Sequence, residues 1–579
     1  MNVRRDRTAL AVVGLAVLAL LFRLAFLGNR VAHFDEGRVA YWIIEYSETG
    51  VLFYRPVIHG PLLHLLNDDL FALLGATDFA MRLVPALVGG LLPLVALLFR
   101  HRLREESVVA LALLLALNPV LLYYSRFMRG DVIAGGLSFL AFACFVRAID
   151  FDDGRYLYGA TFALAVGIGA KENVIAYLLA FLGATALLLH HRLLFARFTD
   201  ATPVSVLGRY LRWAGRGLRR HAGSIAGSVA LFFATVVYIY APRGSLPSRE
   251  TFYFSCNRSP IDGYFDVAAA PTLGEALANP LRLPELVAFT LGSTAELYGC
   301  QWITPRTKDP NPYIEYLGGL SATTAETSTA LILLAVAGFL GTLYAGDRPD
   351  DLVSFSFYWG AASVVGYPFI TDIGGAGWLV VHVVLPLSIP AAVALGVLLR
   401  WGRDARADGD TVSLALVGVV VVLVVASMGA TAYATSFQNP QSDDNPLVQY
   451  AQPSGDLEPT IADIQRLADE NEGTDVVLYG PHLHNPVDDE LERRPTCSNW
   501  FNALPLPWYF EAGDVSADCA ENGAALDDAL EENPPVVVAY EKERAAVDER
   551  IDDRYEARVH FMRSDDVPFV FYVDESRLE

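Results

Sequence analysis

Eleven apolar stretches, each long or nearly long enough to cross a bilayer as a helix, crowd the first 440 residues of this 579-residue chain. They fall at about 8–28, 79–99, 107–124, 132–149, 156–170, 173–190, 223–241, 327–345, 352–370, 377–399 and 411–434. A spanning helix takes roughly 20 predominantly apolar residues, because lipid satisfies no backbone N–H or C=O and each must be bonded within the helix. The last stretch carries no charge over 24 residues. The fifth and sixth are short and separated only by Ala170-Lys171-Glu172-Asn173. The pattern predicts a mainly α, polytopic membrane protein with about eleven spans and excludes a simple soluble enzyme.

Charge divides the chain in two. Residues 441–579 hold 33 Asp/Glu against 10 Lys/Arg, whereas residues 1–440 hold 32 against 33. The reading is a membrane domain over 1–435 and an acidic domain over 436–579. With no basic face, nucleic acid is excluded as a partner. Of the 43 basic residues only Lys171, Lys308 and Lys542 are lysine. A strongly negative, water-facing domain stays soluble where salt screens self-repulsion, and we read it as the pattern of a haloarchaeal protein. In the acidic domain, Pro459–Asn471 and Lys542–Asp552 have helical spacing. The runs Val476–Gly480, Val536–Tyr540 and Phe569–Val573 read as strands, so this part is expected to be α/β with its own core.

Arginine sets the orientation. Arg4, Arg5 and Arg7 precede the first span; Arg100, Arg102 and Arg104 follow the second; seven Arg against one Asp fill 191–222. Alternating spans put all three groups on one side, which the positive-inside rule makes cytoplasmic. The acidic domain then lies outside a cell membrane, as do loop 29–78 with its two surface helices, the turns 125–131 and 170–173, and the long segment 242–326.

Ionisable residues at membrane boundaries are costly and mark function. Three clusters share the outer side: His33-Phe34-Asp35-Glu36-Gly37-Arg38; Tyr123-Tyr124-Ser125-Arg126-Phe127-Met128-Arg129-Gly130-Asp131; and Lys171-Glu172. The acid pair, the Arg-x-x-Arg-x-Asp turn and the Lys-Glu pair resemble the GT-C membrane glycosyltransferases, nearest the dolichyl-phosphate-mannose-protein mannosyltransferase-like branch. With Tyr54-Arg55-Pro56-Val57-Ile58-His59-Gly60-Pro61, Trp378-Leu379-x-x-His382 and Tyr450-Ala451-Gln452-Pro453, they resemble more closely an archaeal "flippase activity-associated" family. The resemblance spans nearly the whole chain. It departs at Asp372-Ile373-Gly374-Gly375-Ala376-Gly377, where a charged residue beside a Pro is expected.

The resemblance implies a polyprenyl (dolichyl) phosphate-linked sugar donor, a glycan or protein acceptor, and work at the outer face in archaeal N-glycosylation or cell-surface glycan assembly. Other proteins of a glycosylation pathway are candidate partners. Sugar phosphates carry a good leaving group, so one base and cations for the departing phosphate suffice, whereas a glycosidase needs paired carboxylates. Asp35, with Glu36, is the candidate catalytic acid pair. Arg126, Arg129, Lys171 and His59 are candidate phosphate ligands; Arg38, Asp131, Glu172 and His382 are supporting residues. No cofactor is secure, and a divalent metal stays open.

Each assignment has a plainer rival. Asp35-Glu36 also suits a cap on a helix starting near Gly37. Arg126 and Arg129 suit lipid headgroups or Asp131, and Lys171-Glu172 a local ion pair. His482-x-His484 has metal-pair spacing without a third ligand. Trp500, Trp508 and Tyr509 read as core of the acidic domain rather than a sugar platform. For the whole chain, a non-catalytic partner of lipid-linked sugar translocation and a transporter are the competing functions. Four Cys fall in outward segments; Cys256–Cys300 with Cys497–Cys519 is the expected pairing among three connectivities.

Overall fold

The computed structural model describes residues 6–54, 60–172, 174–196, 202–244, 271–299, 312–344, 350–371, 373–485, 497–563 and 568–578. Helices dominate up to Gln438, and a small mixed sheet follows. Eight helical segments among the described residues are long and apolar enough to cross a membrane: Arg7–Leu24, Asp78–Phe99, Gly130–Phe151, Val174–Ala196, Ala222–Tyr240, Tyr313–Tyr344, Gly377–Asp408 and Thr411–Gln438. The chain is a multi-pass membrane protein. The other three expected stretches are helical but fall short of that standard. One breaks at Asn118, where Pro119 opens a new short helix, Pro119–Tyr124. Arg155–Ala170 has only 16 residues, and in Asp351–Ile370 the apolar run is diluted by Ser354, Ser356 and Ser363. The expected span at 327–345 is the second half of a longer helix that begins at Tyr313 and kinks at Ser328.

Two of these helices show that lipid is the solvent. From Val381 to Ala392 every residue is buried, so this segment, apolar but for His382 and Ser388, runs through the centre of the bundle. Thr411–Tyr433 is as apolar but buries only Met428 and Ala432, exposing Val412, Leu416, Val422 and Leu423 by 63–68%. Exposure on that scale suits a hydrocarbon surround and not water. Between the helices, Trp359 is fully buried against Phe142, Tyr177 and Phe181.

One end of the bundle carries surface ion pairs: Arg100 with Asp6, Arg102 with Asp150, Arg220 with Asp152, Arg192 with Asp351 and Arg403 with Glu106. The residues joined are the helix ends that alternating spans predict to lie together. At the opposite end, helices Phe34–Thr49 and Leu62–Leu74 form a cap.

The sheet has the order β2-β1-β3-β5-β4: β1 is Val476–Tyr479, β2 Ala517–Ala520, β3 Val536–Tyr540, β4 Tyr555–Phe561 and β5 Pro568–Asp574. The pairs β1–β2 and β1–β3 are parallel, and β5 is antiparallel to β3 and β4. The three expected strands form its centre. β2 and β4 escape the sequence reading because each has one face open to water, so Asp518, Glu556 and Arg558 interrupt the apolar run. Helix Leu457–Glu470 covers the sheet, while the expected helix Lys542–Asp552 contracts to Arg544–Asp548 after one 3-10 turn.

This domain sits directly on the cap. Trp508 packs on Phe71, and its Nε1–H donates to Asp78 Oδ1 at 2.9 Å. The Tyr509 hydroxyl donates to Asp78 Oδ2 at 2.9 Å and accepts from the Ala32 N–H at 2.6 Å. At Gly37 a Cβ would meet Pro505 Cβ at 2.7 Å, so only glycine allows this approach. Trp508 and Tyr509 therefore fill the seam between the domains rather than the core of the acidic one. Cys497 and Cys519 form the expected disulfide; Cys256 and Cys300 lie outside the described residues.

Candidate active site

Asp131, one residue into its helix, organises the site because a second helix end is pressed against the first. A Cβ on Gly130 would lie 2.4 Å from the Ala170 carbonyl oxygen, so glycine is required there. The contact brings Lys171 to Asp131 across 40 residues, with Nζ–H donating to Oδ1 at 2.6 Å. Arg129 Nε–H donates to Oδ2 of the same carboxylate at 3.2 Å, and its Nη1–H donates to Asp35 Oδ2 at 2.9 Å. The result is a continuous chain, Asp35–Arg129–Asp131–Lys171. Asp131 puts one oxygen on each cation, so both are within reach of a single small oxyanion.

Surrounding groups fix the members. Arg129 lies 4.2 Å from the centre of the Trp378 ring and also donates to Gln449. His382 Nε2 stands 3.5 Å from Asp131 Oδ1; its Nδ1 is 2.5 Å from the Tyr177 hydroxyl, and its ring stacks on Tyr367 at 4.4 Å. With Tyr177 O–H donating to Nδ1, the Nε2–H faces Asp131. The segment 440–452 is laced over this end by the Tyr123 and Tyr124 hydroxyls, which donate to the Pro440 and Leu447 carbonyls at 2.9 and 2.7 Å.

Asp35 and Glu36 have opposite surroundings. Helix Phe34–Thr49 starts three residues before Gly37, with His33 as its N-cap and Glu36 closing a capping box. Glu36 is fully buried and saturated: Arg82 Nε–H and Nη2–H donate to it at 2.9 Å each, Arg30 Nη2–H at 2.8 Å, and the His33 and Met128 backbone N–H at 2.9 and 2.8 Å. Burial pushes its carboxyl up, but the Arg30 and Arg82 guanidiniums outweigh that and hold it well below the usual range. The Asp35 side chain keeps 10% exposure where those of Glu36 and Asp131 keep none. Of the three carboxylates it alone is not wholly sealed.

Arg126 has a setting unlike that expected for a phosphate ligand. Its Nη1–H groups donate to the Phe22, Arg23 and Ala25 carbonyls at 2.6–3.1 Å and its Nη2–H to Phe26 at 3.0 Å. It terminates the first span, whose last carbonyls need donors. Burial and the neighbouring Arg30 and Arg82 push its pKa down to about 10. Lys171 and Glu172 point to different partners: Glu172 accepts from the Tyr54 hydroxyl at 2.6 Å, and burial pushes its carboxyl up. Burial likewise lowers the Lys171 ammonium, against the upward pull of Asp131. Arg38 lies over the Phe501 ring at 5.0 Å, at the mouth of the site. His59 is outside the described residues.

Arg30, Arg82, Gln449, Tyr177 and Tyr367 were not anticipated. Arg82 carried a signal, being a charge inside an apolar span. The others are ordinary residues until packing brings them in. Among the described residues, one acidic group has the spacing of a metal site: Glu45, Glu48 and Glu511. Glu45 stands ten residues beyond Asp35 on its helix, about 15 Å of rise, so the group is separate from the chain of charges. His482 instead lies by Tyr540, with ring centres 5.5 Å apart.

Comparison with known proteins gives the arrangement its class. Residues 58–208, which include Arg126 through Glu172, match the family described as dolichyl-phosphate-mannose-protein mannosyltransferase. Two similar solved structures are of ArnT from Cupriavidus metallidurans. The one bound to undecaprenyl phosphate is 14% identical over 97% of each chain, with a TM-score of 0.53. The apo form is 15% identical over 97% of this chain and 98% of that one, with a TM-score of 0.50. No curated protein matches in sequence. The chain has the ArnT-like GT-C fold, and the match of residues 58–208 to a mannosyltransferase family marks it as a membrane glycosyltransferase. Its residues 457–574 match the family described as the Agl23 flippase-associated protein C-terminal domain.

Proposed function

We propose that the protein transfers a glycosyl unit from a polyprenyl-phosphate sugar to a glycan or protein hydroxyl at the outer membrane face, in archaeal N-glycosylation or cell-surface glycan assembly. The observation that carries the reading is the four-residue charge chain, in which Asp35 is the carboxylate that keeps some exposure, 10% of its side chain. Asp35 takes the proton from the acceptor hydroxyl, whose oxygen attacks the anomeric carbon of the donor. The bond from that carbon to the phosphate oxygen breaks, and Arg129 and Lys171 hold the departing phosphate. Asp131, His382 and Gln449 position the two cations. Glu36 and Arg126 position the Asp35 helix and the arginine turn, without touching substrate. Tyr450 and Phe501, 45% and 42% exposed, line the acceptor side with Arg38. The bound undecaprenyl phosphate of ArnT supports the donor class. The Arg-rich loops support a cytoplasmic N-terminus and an outer C-terminal domain in the cell membrane.

Asp35→Asn keeps shape and removes the base. Turnover should fall by roughly two to four powers of ten, with polyprenyl-phosphate binding to the purified chain unchanged. Lys171→Ala should instead weaken that binding, roughly tenfold or more. The name of the matched C-terminal domain favours a second reading, a non-catalytic partner of lipid-linked sugar translocation. Comparing lipid-linked and protein-linked glycans of a deletion strain by mass spectrometry separates the two. Full glycan restored by Asp35→Asn overturns the enzyme and leaves the translocation partner.

A further inference from the structure

At the end of the bundle opposite the site, helix Pro203–Arg220 has an apolar face that the protein leaves almost uncovered. Its sequence at 100° per residue puts Val204, Val206, Leu207, Tyr210, Leu211, Trp213 and Leu218 on one half and all five arginines on the other. Val206 alone is buried; Val204, Leu211, Leu218 and Trp213 are 80%, 64%, 61% and 51% exposed. The helix contains no acidic residue. Arg220 pairs with Asp152, but Arg209, Arg212, Arg216 and Arg219 have no carboxylate partner among the described residues.

The helix joins two bilayer-length helices, Val174–Ala196 and Ala222–Tyr240. Only residues 197–202 and His221 separate it from them, so it is tethered within about 20 Å of the membrane surface. There an amphipathic helix lowers its free energy by sinking the apolar half to the acyl boundary, which holds the opposite half among the headgroups. Trp213 at the border between the halves suits that depth. Guanidinium groups favour phosphate oxyanions.

We propose that Pro203–Arg220 is a binding site for the headgroups of anionic phospholipids in the leaflet at this end of the bundle, engaged through Arg209, Arg212, Arg216 and Arg219. The proposal rests on the chain spanning a membrane and not on the glycosyl-transfer reading.

The test uses the full-length protein in vesicles of phosphatidylglycerol or phosphatidylcholine with the same chains. With bromine low on the acyl chains near the headgroup, the Trp213 signal (wild type minus Trp213→Phe) should be quenched. In detergent, phosphatidylglycerol should stabilise the protein at lower concentration than phosphatidylcholine. A triple variant, Arg209→Gln, Arg212→Gln and Arg216→Gln, should need on the order of a hundredfold more phosphatidylglycerol, at about fivefold per arginine. The corresponding triple Lys variant should stay within a fewfold of wild type. Absence of quenching would mean that water or another protein covers the face, and the proposal fails. It fails equally if wild type does not distinguish the two lipids, or if the Lys and Gln variants lose the preference alike.

Discussion

The two ends of the helical bundle carry similar residues in opposite circumstances. At the arginine-rich end, ion pairs are open to water: the Arg100 and Asp6 side chains are 34% and 44% exposed, those of Arg403 and Glu106 64% and 20%. At the other end, Asp35, Glu36, Arg82, Arg129, Asp131 and Lys171 keep 10% or less. Exposed pairs gain little because water competes for both partners. Buried ones survive only as networks, since removing any single member strands a desolvated charge. Within the buried set, the partners also divide. Glu36 is saturated and holds structure, whereas the Asp35 side chain keeps 10% exposure and fewer partners.

The largest effect on stability is expected from Glu36→Gln, which leaves Arg30 and Arg82 buried without a counter-charge. It should lower unfolding free energy by about 3–5 kcal/mol, read from denaturant titration in detergent. If the loss is no greater than that of Arg403→Gln, the contrast between the ends is wrong.

Next is a pH effect centred on His33. Its Nδ1 accepts from the Asp35 backbone N–H at 3.0 Å, so the fold holds the neutral ring. Burial lowers its pKa from 6.5 to about 4. Between those values the unfolded chain binds more protons, so stability falls as pH drops from 6.5 to 4 and levels off below. The loss from this group is about 3 kcal/mol. His33→Asn, which keeps a capping acceptor without a titratable ring, should flatten that slope. An unchanged slope would remove His33 from the account.

The smallest effect sharpens the comparison from the other side. Arg403→Gln should change stability by less than about 1 kcal/mol, and less still at high salt. A loss of 3 kcal/mol would show that the exposed end is a network too.

Much of this was legible in the chain. The eight long spans, the acidic α/β domain and its central strands all follow from local hydropathy and spacing. So do the three clusters that supply Asp35, Arg129, Asp131 and Lys171, whereas Cys497–Cys519 belonged to one of three connectivities until the structure paired it. Less legible were the seam at Trp508 and Tyr509 and the edge strands β2 and β4, because half-exposed apolar runs look alike whether they meet solvent or another domain.

What the sequence by itself determined is which segments enter lipid, since hydropathy over twenty residues is a local property and outweighs any later contact. It also determined which charges gather at one end of the bundle, since those follow from where the spans stop. Only the tertiary structure decided how those charges pair. Arg126 ends up on the carbonyls of the first span and Arg129 on Asp35 and Asp131; Glu36 is saturated while its neighbour stays open. Those outcomes depend on contacts across tens of residues, such as Gly130 against Ala170, and on burial. Burial sets the cost of each charge, and no stretch of sequence states it.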